Sequence, residues 1–421
     1  MPPAKSMPYI KKMMNKEPMT EAEIRAIVQD VVDDKLSDIE ITAYVTAGYM
    51  RTPNMQETAW LTKAMIDTGD TIHFANHPVA DKHSIGGVPG NKVTLLVVPI
   101  VAAAGLPVPK TCSRAITGAG GTADLMEIIA SVEFKADEVK ELTEKNGAVI
   151  VWGGATNIAP SDDKLIRPEY ELTIDPYSQM LASIMAKKGA VGADVVVMDM
   201  PVGPGTKLPT MEHARRCSKD IIELGKMLGM KVECAATYGG APMGRTVGPG
   251  LEVVEALRML EGKGGPTSLR EKSLELAGIL LEMGGKADKG TGYFVAENLL
   301  VSGKAHQKFL DIVEIQGGDR KVTSESIPMG EHVVRVYAPR HGFVQSFRNK
   351  RIVEVARLAG APDDKGAGVF LHKKMGESIK KGEPIFTIYS STESGADAAL
   401  ASMNADLPVT IEGMLMERMA E

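Results

Sequence analysis

The chain has 421 residues, 44% hydrophobic and 24% charged, a globular composition too long for one ordinary core, so two or three domains are expected. A formal net charge of −6 gives no bulk attraction to nucleic acid or an anionic membrane, although local Lys and Arg groups can still hold a small anion. Three scattered cysteines, Cys112, Cys217 and Cys234, form neither a disulfide framework nor a metal-ligand pattern. They fit a reducing cytoplasm.

The first residues contain no apolar core of signal-peptide length. Residues 1–70 read as a small all-α domain. Three helix starts carry a capping residue followed three positions later by Glu: Thr20 with Glu23, Ser37 with Glu40, and Asn54 with Glu57. Apolar residues such as Ile24, Ile27 and Val31 recur at helical spacing. From about residue 78 Gly and Pro multiply. The apolar run 93–106 is shorter than the roughly 18 residues of a membrane span and is broken by Pro99. Strand-like runs follow at AVIVWGG (148–154), ADVVVMDMPVG (193–203) and KVECAATYG (231–239), with helical stretches at 211–228 and 268–285. Strands alternating with helices predict an α/β domain with a mostly parallel sheet, covering 71–160 and 191–325, with 161–190 joining the helical unit. The β-rich segments HVVRVYAPRHGFVQSF and GVFLHKKMGESIKKGEPIFTIYS predict a C-terminal α+β domain over 331–421. Ligands of such parallel sheets bind in loops beyond the strands' carboxyl ends.

Four segments could carry chemistry. In KHSIGGVPGNK (82–92), Lys82 offers a charge, His83 a group that ordinarily titrates near neutrality and Ser84 a hydroxyl. Gly86 and Gly87 let backbone N–H groups approach an oxyanion. A structural turn would explain the same glycines. In TCSRAITGAGGTADLMEI (111–128), Ser113, Arg114, Thr117 and Thr122 surround small residues and also suit an anion, with a close packing turn as the plain alternative. In IRPEYELTIDPYSQMLASIMAKK (166–188), Asp175 before Pro176 reads as a helix cap, and Ser183 and Lys187 fall on one helix face. A bare cap and a solvated lysine would account for these too. PVGPGTK (201–207) ends a predicted strand and presents Lys207, which could equally be an ordinary surface charge.

Together these segments resemble the thymidine/pyrimidine-nucleoside phosphorylase family over nearly the whole chain. The KHS-x-GG loop is matched by Lys82, His83, Ser84, Gly86 and Gly87, the base-binding set by Arg167, Ser183 and Lys187, and a phosphate-binding Thr by Thr122. Arg167 lies one residue further from Ser183 than in bacterial thymidine phosphorylases. HSIGGVPGNK, SRAIT, WGGATNIAP, SIMAKK, PVGPGTK and GRTVGP are similar to the family's archaeal AMP phosphorylase branch. The resemblance implies phosphorolysis of AMP to adenine and ribose 1,5-bisphosphate, with CMP and UMP as further substrates. It places functional residues at Gly87, at Ser113, Arg114, Ala115, Ile116, Thr117 and Gly118, and at Thr122, Asp175, Ser183 and Lys207. Asp175 falls on the proton donor, and His83 would donate a hydrogen bond to sugar or base. No metal or organic cofactor is implied, inorganic phosphate being the co-substrate, and a cytoplasmic homodimer is expected.

Two departures stand out. AMP phosphorylases of that branch carry an additional N-terminal domain, and this chain begins where it would end, so a short or trimmed form without higher assembly is expected. Gly118, Gly121 and Lys82 tilt toward the thymidine phosphorylase pattern, which keeps phosphorolysis of thymidine or uridine as the alternative. Anthranilate phosphoribosyltransferase shares the architecture but would bind PRPP with magnesium. A regulatory protein that binds nucleotide without turnover is the non-enzymatic reading. The expected role of Asp175 carries a conflict: a helix start keeps it ionised, whereas a general acid must be protonated.

Overall fold

The computed structural model describes residues 5–115, 118–415 and 418–419. Ile116 and Thr117 lie outside the described residues. The chain opens with α1 (Met7–Met14), α2 (Glu21–Val32), α3 (Asp38–Arg51) and α4 (Met55–Asp67). All three expected capping boxes form at the starts of α2, α3 and α4. Each satisfies two backbone N–H groups that a helix end otherwise leaves orphaned.

The chain then builds β1 (Ala80–Ser84), α5 (Thr94–Ala103), β2 (Val108–Cys112), α6 (Thr122–Met126), α7 (Ala136–Asn146) and β3 (Ala148–Trp152). It returns to the helical unit through α8 (Ser161–Leu172) and α9 (Tyr177–Ala190). Leu165, Leu181, Ile184 and Met185 share one core with Ile24, Ile27, Leu61 and Met65. The α/β unit resumes with β4 (Val195–Val202), α10 (Met211–Met227), β5 (Lys231–Tyr238), β6 (Thr246–Val247), α11 (Pro249–Leu260), α12 (Thr267–Met283), α13 (Gly292–Val301) and α14 (Lys304–Ile315).

β1, β4 and β5 form a parallel sheet in the order β1-β4-β5, and β2 pairs in parallel with β3. The two are stitched by Ala80 N–H donating to Pro107 O at 2.8 Å. α5 explains the apolar run 93–106: Thr94 through Ala102 are all buried, beneath α12 and α14. A helix covered on every side needs no polar face.

The remainder forms β7 (His332–Tyr337), β8 (Gly342–Phe347), α15 (Asn349–Leu358), β9 (Gly368–Leu371), β10 (Ser378–Ile379), β11 (Pro384–Ser390), α16 (Glu393–Ala405) and β12 (Val409–Glu412). Two antiparallel sheets result, β10-β8-β12 and β6-β9-β11-β7. Sequence reading assigns residues 246–247 to the α/β unit, yet β6 pairs with β9 of the C-terminal unit. That short strand locks the two units together, and it is too brief to carry a periodic signal.

Candidate active site

The parallel register sets the site. Ser84 pairs with Asp199, so Lys82, His83 and Ser84 end β1 beside the end of β4, with Thr237 near the end of β5. Beyond Ser84 the chain turns through Gly87, whose φ is +106°. A Cβ there would lie 2.8 Å from Thr206 Cα and 3.1 Å from Lys207 N, so the loops after β1 and β4 touch backbone to backbone. This contact brings Lys207 to the KHS loop.

A buried charge network lies under the loops. Asp199 accepts from Ser84 Oγ at 2.5 Å, Thr237 Oγ1 at 2.6 Å and Asn91 Nδ2 at 3.3 Å, and Lys272 Nζ of α12 stands 2.9 Å away. Lys82 Nζ donates to Ser84 Oγ at 2.5 Å and to Thr94 Oγ1 at 3.3 Å. One strand position away, Asp81 meets Lys188 of α9 at 2.5 Å and Lys110 of β2 at 3.3 Å. Lys82, Lys110, Lys188 and Lys272 thus face Asp81 and Asp199, and all six are buried. Four cations against two anions leave a surplus of positive charge that a dianion would neutralise.

The titration behaviour follows from burial first and from this surplus second. Burial pushes Lys82 down to about 7, Asp199 opposes, and Lys110 and Lys272 push it lower. Burial also brings Lys188 to about 7, against the pull of Asp81. For Asp199 burial favours the neutral acid, but Lys272 and Lys82 outweigh it and hold the carboxyl below the usual range. His83 departs from expectation. Burial and then the fields of Lys188, Lys110, Lys187 and Lys82 drive its imidazole well below its ordinary value. It is neutral at pH 7, suited to hydrogen bonding and not to acid catalysis.

The second anion loop joins β2 to α6. Asp124 accepts from Ala115 N at 2.6 Å and from Gly121 N at 2.8 Å, which ties these two residues to the start of α6. A Cβ on Gly121 would fall 2.5 Å from Ser113 O, so this turn requires glycine. The Arg114 side chain, expected to meet an anion, instead binds Glu127 and Glu133 and stacks over Trp152. The C-terminal unit reaches the same loop, Arg357 Nη1 donating to Gly118 O at 3.0 Å.

Across from the loops, Ser183 and Lys187 do share one face of α9, with Lys187 Nζ 3.5 Å from Ser183 Oγ and 2.5 Å from Asp162 Oδ2. Asp175 is not the cap. Pro176 takes that position with ψ 108°, so the helix starts at Tyr177 and Asp175 stands one residue before the cap. Its Oδ2 lies 3.5 Å from Lys207 Nζ, both side chains about half exposed. Arg167 is 67% exposed, and its ionic partners are Asp38 at 3.9 Å and Glu171 at 3.8 Å, neither belonging to the Ser183 face. Sequence reading missed Asp81, Lys110, Asp124, Lys188, Asp199 and Lys272. Asp199 did leave a trace, a carboxylate inside the apolar strand VVVMDM. Lys272 left none, since a lysine on a helix is ordinary.

A separate groove of about 430 Å³ is lined by Glu271, Glu275, Glu282, Tyr293 and Phe294 on and beside α12 and α13. Its carboxylates repel anions, and it shares no residue with the loops. Among the described residues no group of three His, Cys, Asp or Glu side chains is placed to hold a metal ion.

Each of the three units matches a family model. Residues 7–69 match the helical bundle domain and residues 76–306 the a/b domain of a glycosyl transferase family. Residues 343–410 match the pyrimidine nucleoside phosphorylase C-terminal domain. The chain belongs to the pyrimidine nucleoside phosphorylase family of glycosyl transferases. Among relatives, the AMP phosphorylase of Methanothrix thermoacetophila is 64% identical over 418 residues, covering 98% of this chain and 82% of that protein. That of Methanosarcina barkeri is 60% identical, covering 99% and 82%. That of Methanospirillum hungatei is 54% identical, covering 98% and 80%. Anthranilate phosphoribosyltransferase from Thermus thermophilus shares the fold, with a TM-score of 0.62 at 20% identity, covering 74% of this chain and 99% of its own. Lys82, Ser84, Gly87 and Lys207 gather at the loops after β1 and β4. Asp175 lies against Lys207, and Ser183 and Lys187 share one face of α9.

Proposed function

We propose that the chain catalyses phosphorolysis of nucleoside 5′-monophosphates, converting AMP and phosphate to adenine and ribose 1,5-bisphosphate. The carrying observation is Lys207, a cation held against the phosphate loop by the Gly87 contact and paired only loosely with Asp175 at 3.5 Å. It is free to turn to a second phosphate on the sugar. The kinship with AMP phosphorylases supports the same reading.

In this mechanism inorganic phosphate sits against Lys82, Ser84 and Gly87, and against the backbone of Ser113, Arg114, Ala115, Gly118 and Thr122. Ile116 and Thr117 complete that loop in the sequence. Ser183 and Lys187 orient the base, and neutral His83 donates a hydrogen bond. Holding the nucleophile against the anomeric carbon supplies proximity, and the phosphate's charge stabilises an oxocarbenium-like transition state. Asp175 protonates the departing base. Arg167 stays outside this set unless the helical unit moves on closure. No metal or organic cofactor is assigned a step. The reading includes a cytoplasmic homodimer. Ile39 and Met50, eleven residues apart on one face of α3, and Met14 on α1 are exposed apolar side chains suited to a self-complementary contact. No described helix is long and apolar enough to cross a membrane.

Phosphate-dependent base release measured side by side on AMP, CMP, UMP, adenosine, thymidine and uridine tests the assignment. Release from the monophosphates is the expected result, and release from thymidine or uridine alone would replace it with a nucleoside phosphorylase. Lys207→Ala should lower kcat/KM for AMP by about 10- to 100-fold, the loss of one charge-assisted contact of about 1.5–3 kcal/mol. Adenosine should change little, and equal loss on both substrates would remove Lys207 from 5′-phosphate recognition.

The surplus charge yields a second expectation. With Lys82 and Lys188 near 7, an arriving dianion favours their charged forms and draws protons from solution. Phosphate affinity should therefore fall by up to about tenfold per pH unit above pH 7 for each linked proton. Calorimetric titration of phosphate in two buffers of different ionisation heat at pH 8 should report proton uptake. Absence of uptake would mean that the lysines are already charged.

A further inference from the structure

Lys92 closes the KHS segment, and no step above uses it. Its ammonium is buried and meets four oxygens: Met243 O at 3.3 Å, Thr246 O at 3.1 Å, Thr246 Oγ1 at 2.7 Å and Glu255 Oε2 at 2.5 Å. Glu255 of α11 also accepts from Arg245 N at 2.9 Å and from Thr246 Oγ1 at 3.1 Å. The backbones approach closely here as well. Met243 N donates to Pro89 O at 2.9 Å, and a Cβ on Gly90, whose φ is +72°, would lie 2.4 Å from Thr246 O. The near neighbours of Lys92 belong to the buried charge network: Asn91 Nδ2 donates to Asp199, and Thr94 Oγ1 accepts from Lys82.

The segment that receives Lys92, residues 242–247, is also held by the C-terminal unit. Lys374 Nζ donates to Pro242 O at 2.6 Å and to Gly244 O at 2.7 Å. The Arg245 guanidinium donates to His372 O at 2.8 Å and to Glu377 at 2.7 Å, while Arg245 O accepts from Leu371 N at 2.7 Å. Thr246 and Val247 then pair with Phe370 and Val369 where β6 meets β9. One short stretch of chain thus bonds to the KHS loop and to the C-terminal unit at once.

We propose that Lys92 is a positioning residue for phosphate, a clasp through which the C-terminal unit fixes the loop that binds it; this inference rests on the phosphorolysis reading above. The coupling is mechanical. A buried ammonium that leaves its carboxylate strands both charges away from water, so the clasp has one favoured geometry. Asn91 and Thr94 carry that geometry to Asp199 and Lys82, and these two orient Ser84. Ser183 and Lys187 stand on α9 and Asp175 before it, outside the clasp. Loosening the clasp should therefore weaken phosphate and spare the nucleotide.

The test begins with a variant carrying Lys92→Met and Glu255→Gln together, which removes both charges and strands neither. Its phosphate KM, and its phosphate Kd from calorimetry, should rise by about tenfold or more, with AMP affinity within a few-fold and kcat at saturating phosphate largely kept. Arg245→Ala acts from the C-terminal side at a partly exposed side chain, leaves the backbone bonds of residue 245 in place, and should raise phosphate KM by about threefold or more. Combining all three changes should raise it by less than the product of the separate effects, because both act through one path. An unchanged phosphate KM in either variant would overturn the proposal, and Arg245→Ala decides alone if the charge-free variant does not fold. Equal weakening of phosphate and AMP would also overturn it, as a general loosening of the fold, and so would fully multiplicative effects. A wild-type protein that releases no base from AMP, thymidine or uridine in the presence of phosphate would instead overturn the function on which the proposal rests.

Discussion

Asp199→Ala is expected to destabilise the fold by about 3–5 kcal/mol and to abolish phosphate-dependent turnover. The carboxylate is fully buried and accepts from Ser84, Thr237 and Asn91 while neutralising Lys272. Removing it strands Lys272, leaves Lys82 with no nearby anion but Asp81, and deprives two hydroxyls of their acceptor. Truncating one partner of a buried pair costs more than the pair itself contributes, because the other charge stays desolvated. Urea denaturation reads the stability and base release from AMP reads the activity. Asp199→Ala combined with Lys272→Met should recover much of the stability, since the stranded charge is gone, but not the activity. Ser84 and Lys82 would still lack the carboxylate that orients them. A single variant with wild-type stability would show that the network is not energetically closed.

Asp175→Asn is expected to lower kcat on AMP by about 10²- to 10⁴-fold, the usual range for a lost general acid, while AMP still binds. Asn is isosteric and cannot hand over a proton. It also releases Lys207 from its ionic partner, so AMP affinity should hold or rise slightly, and the loss should fall on kcat and not on KM. Equilibrium binding of AMP alongside steady-state kinetics separates the two. Full turnover by the variant would reject Asp175 as the donor. Because Pro176 and not Asp175 occupies the cap position, helix stability should be untouched, and an unchanged melting temperature would agree.

The helical start of the chain was legible residue by residue because a capping box is local: Thr20, Ser37 and Asn54 bond to partners three residues away. The strands β3, β4 and β5 were legible for a similar reason, and a continuous β-branched stretch such as ADVVVMDM suits a strand buried on both faces. The Ser183–Lys187 pair followed from helical spacing alone. Short pieces such as β6 were not legible, because two residues carry no period and their pairing with β9 is a long-range event.

The sequence by itself therefore determined the capped helices, the longer strands, the glycine-rich segments beside them and the residue types those segments carry. Local hydrogen bonds and side-chain periodicity are enough for that. Tertiary structure decided how those groups are charged and which way they point. It turned Arg114 onto Glu127 and Trp152, left Arg167 in solvent, and made His83 a neutral imidazole. It also brought Lys272, Lys188 and Asp199 under one loop from distant parts of the chain. Desolvation and Coulomb interaction depend on distance through space and on excluded water, and neither quantity is written in the spacing of residues along the chain.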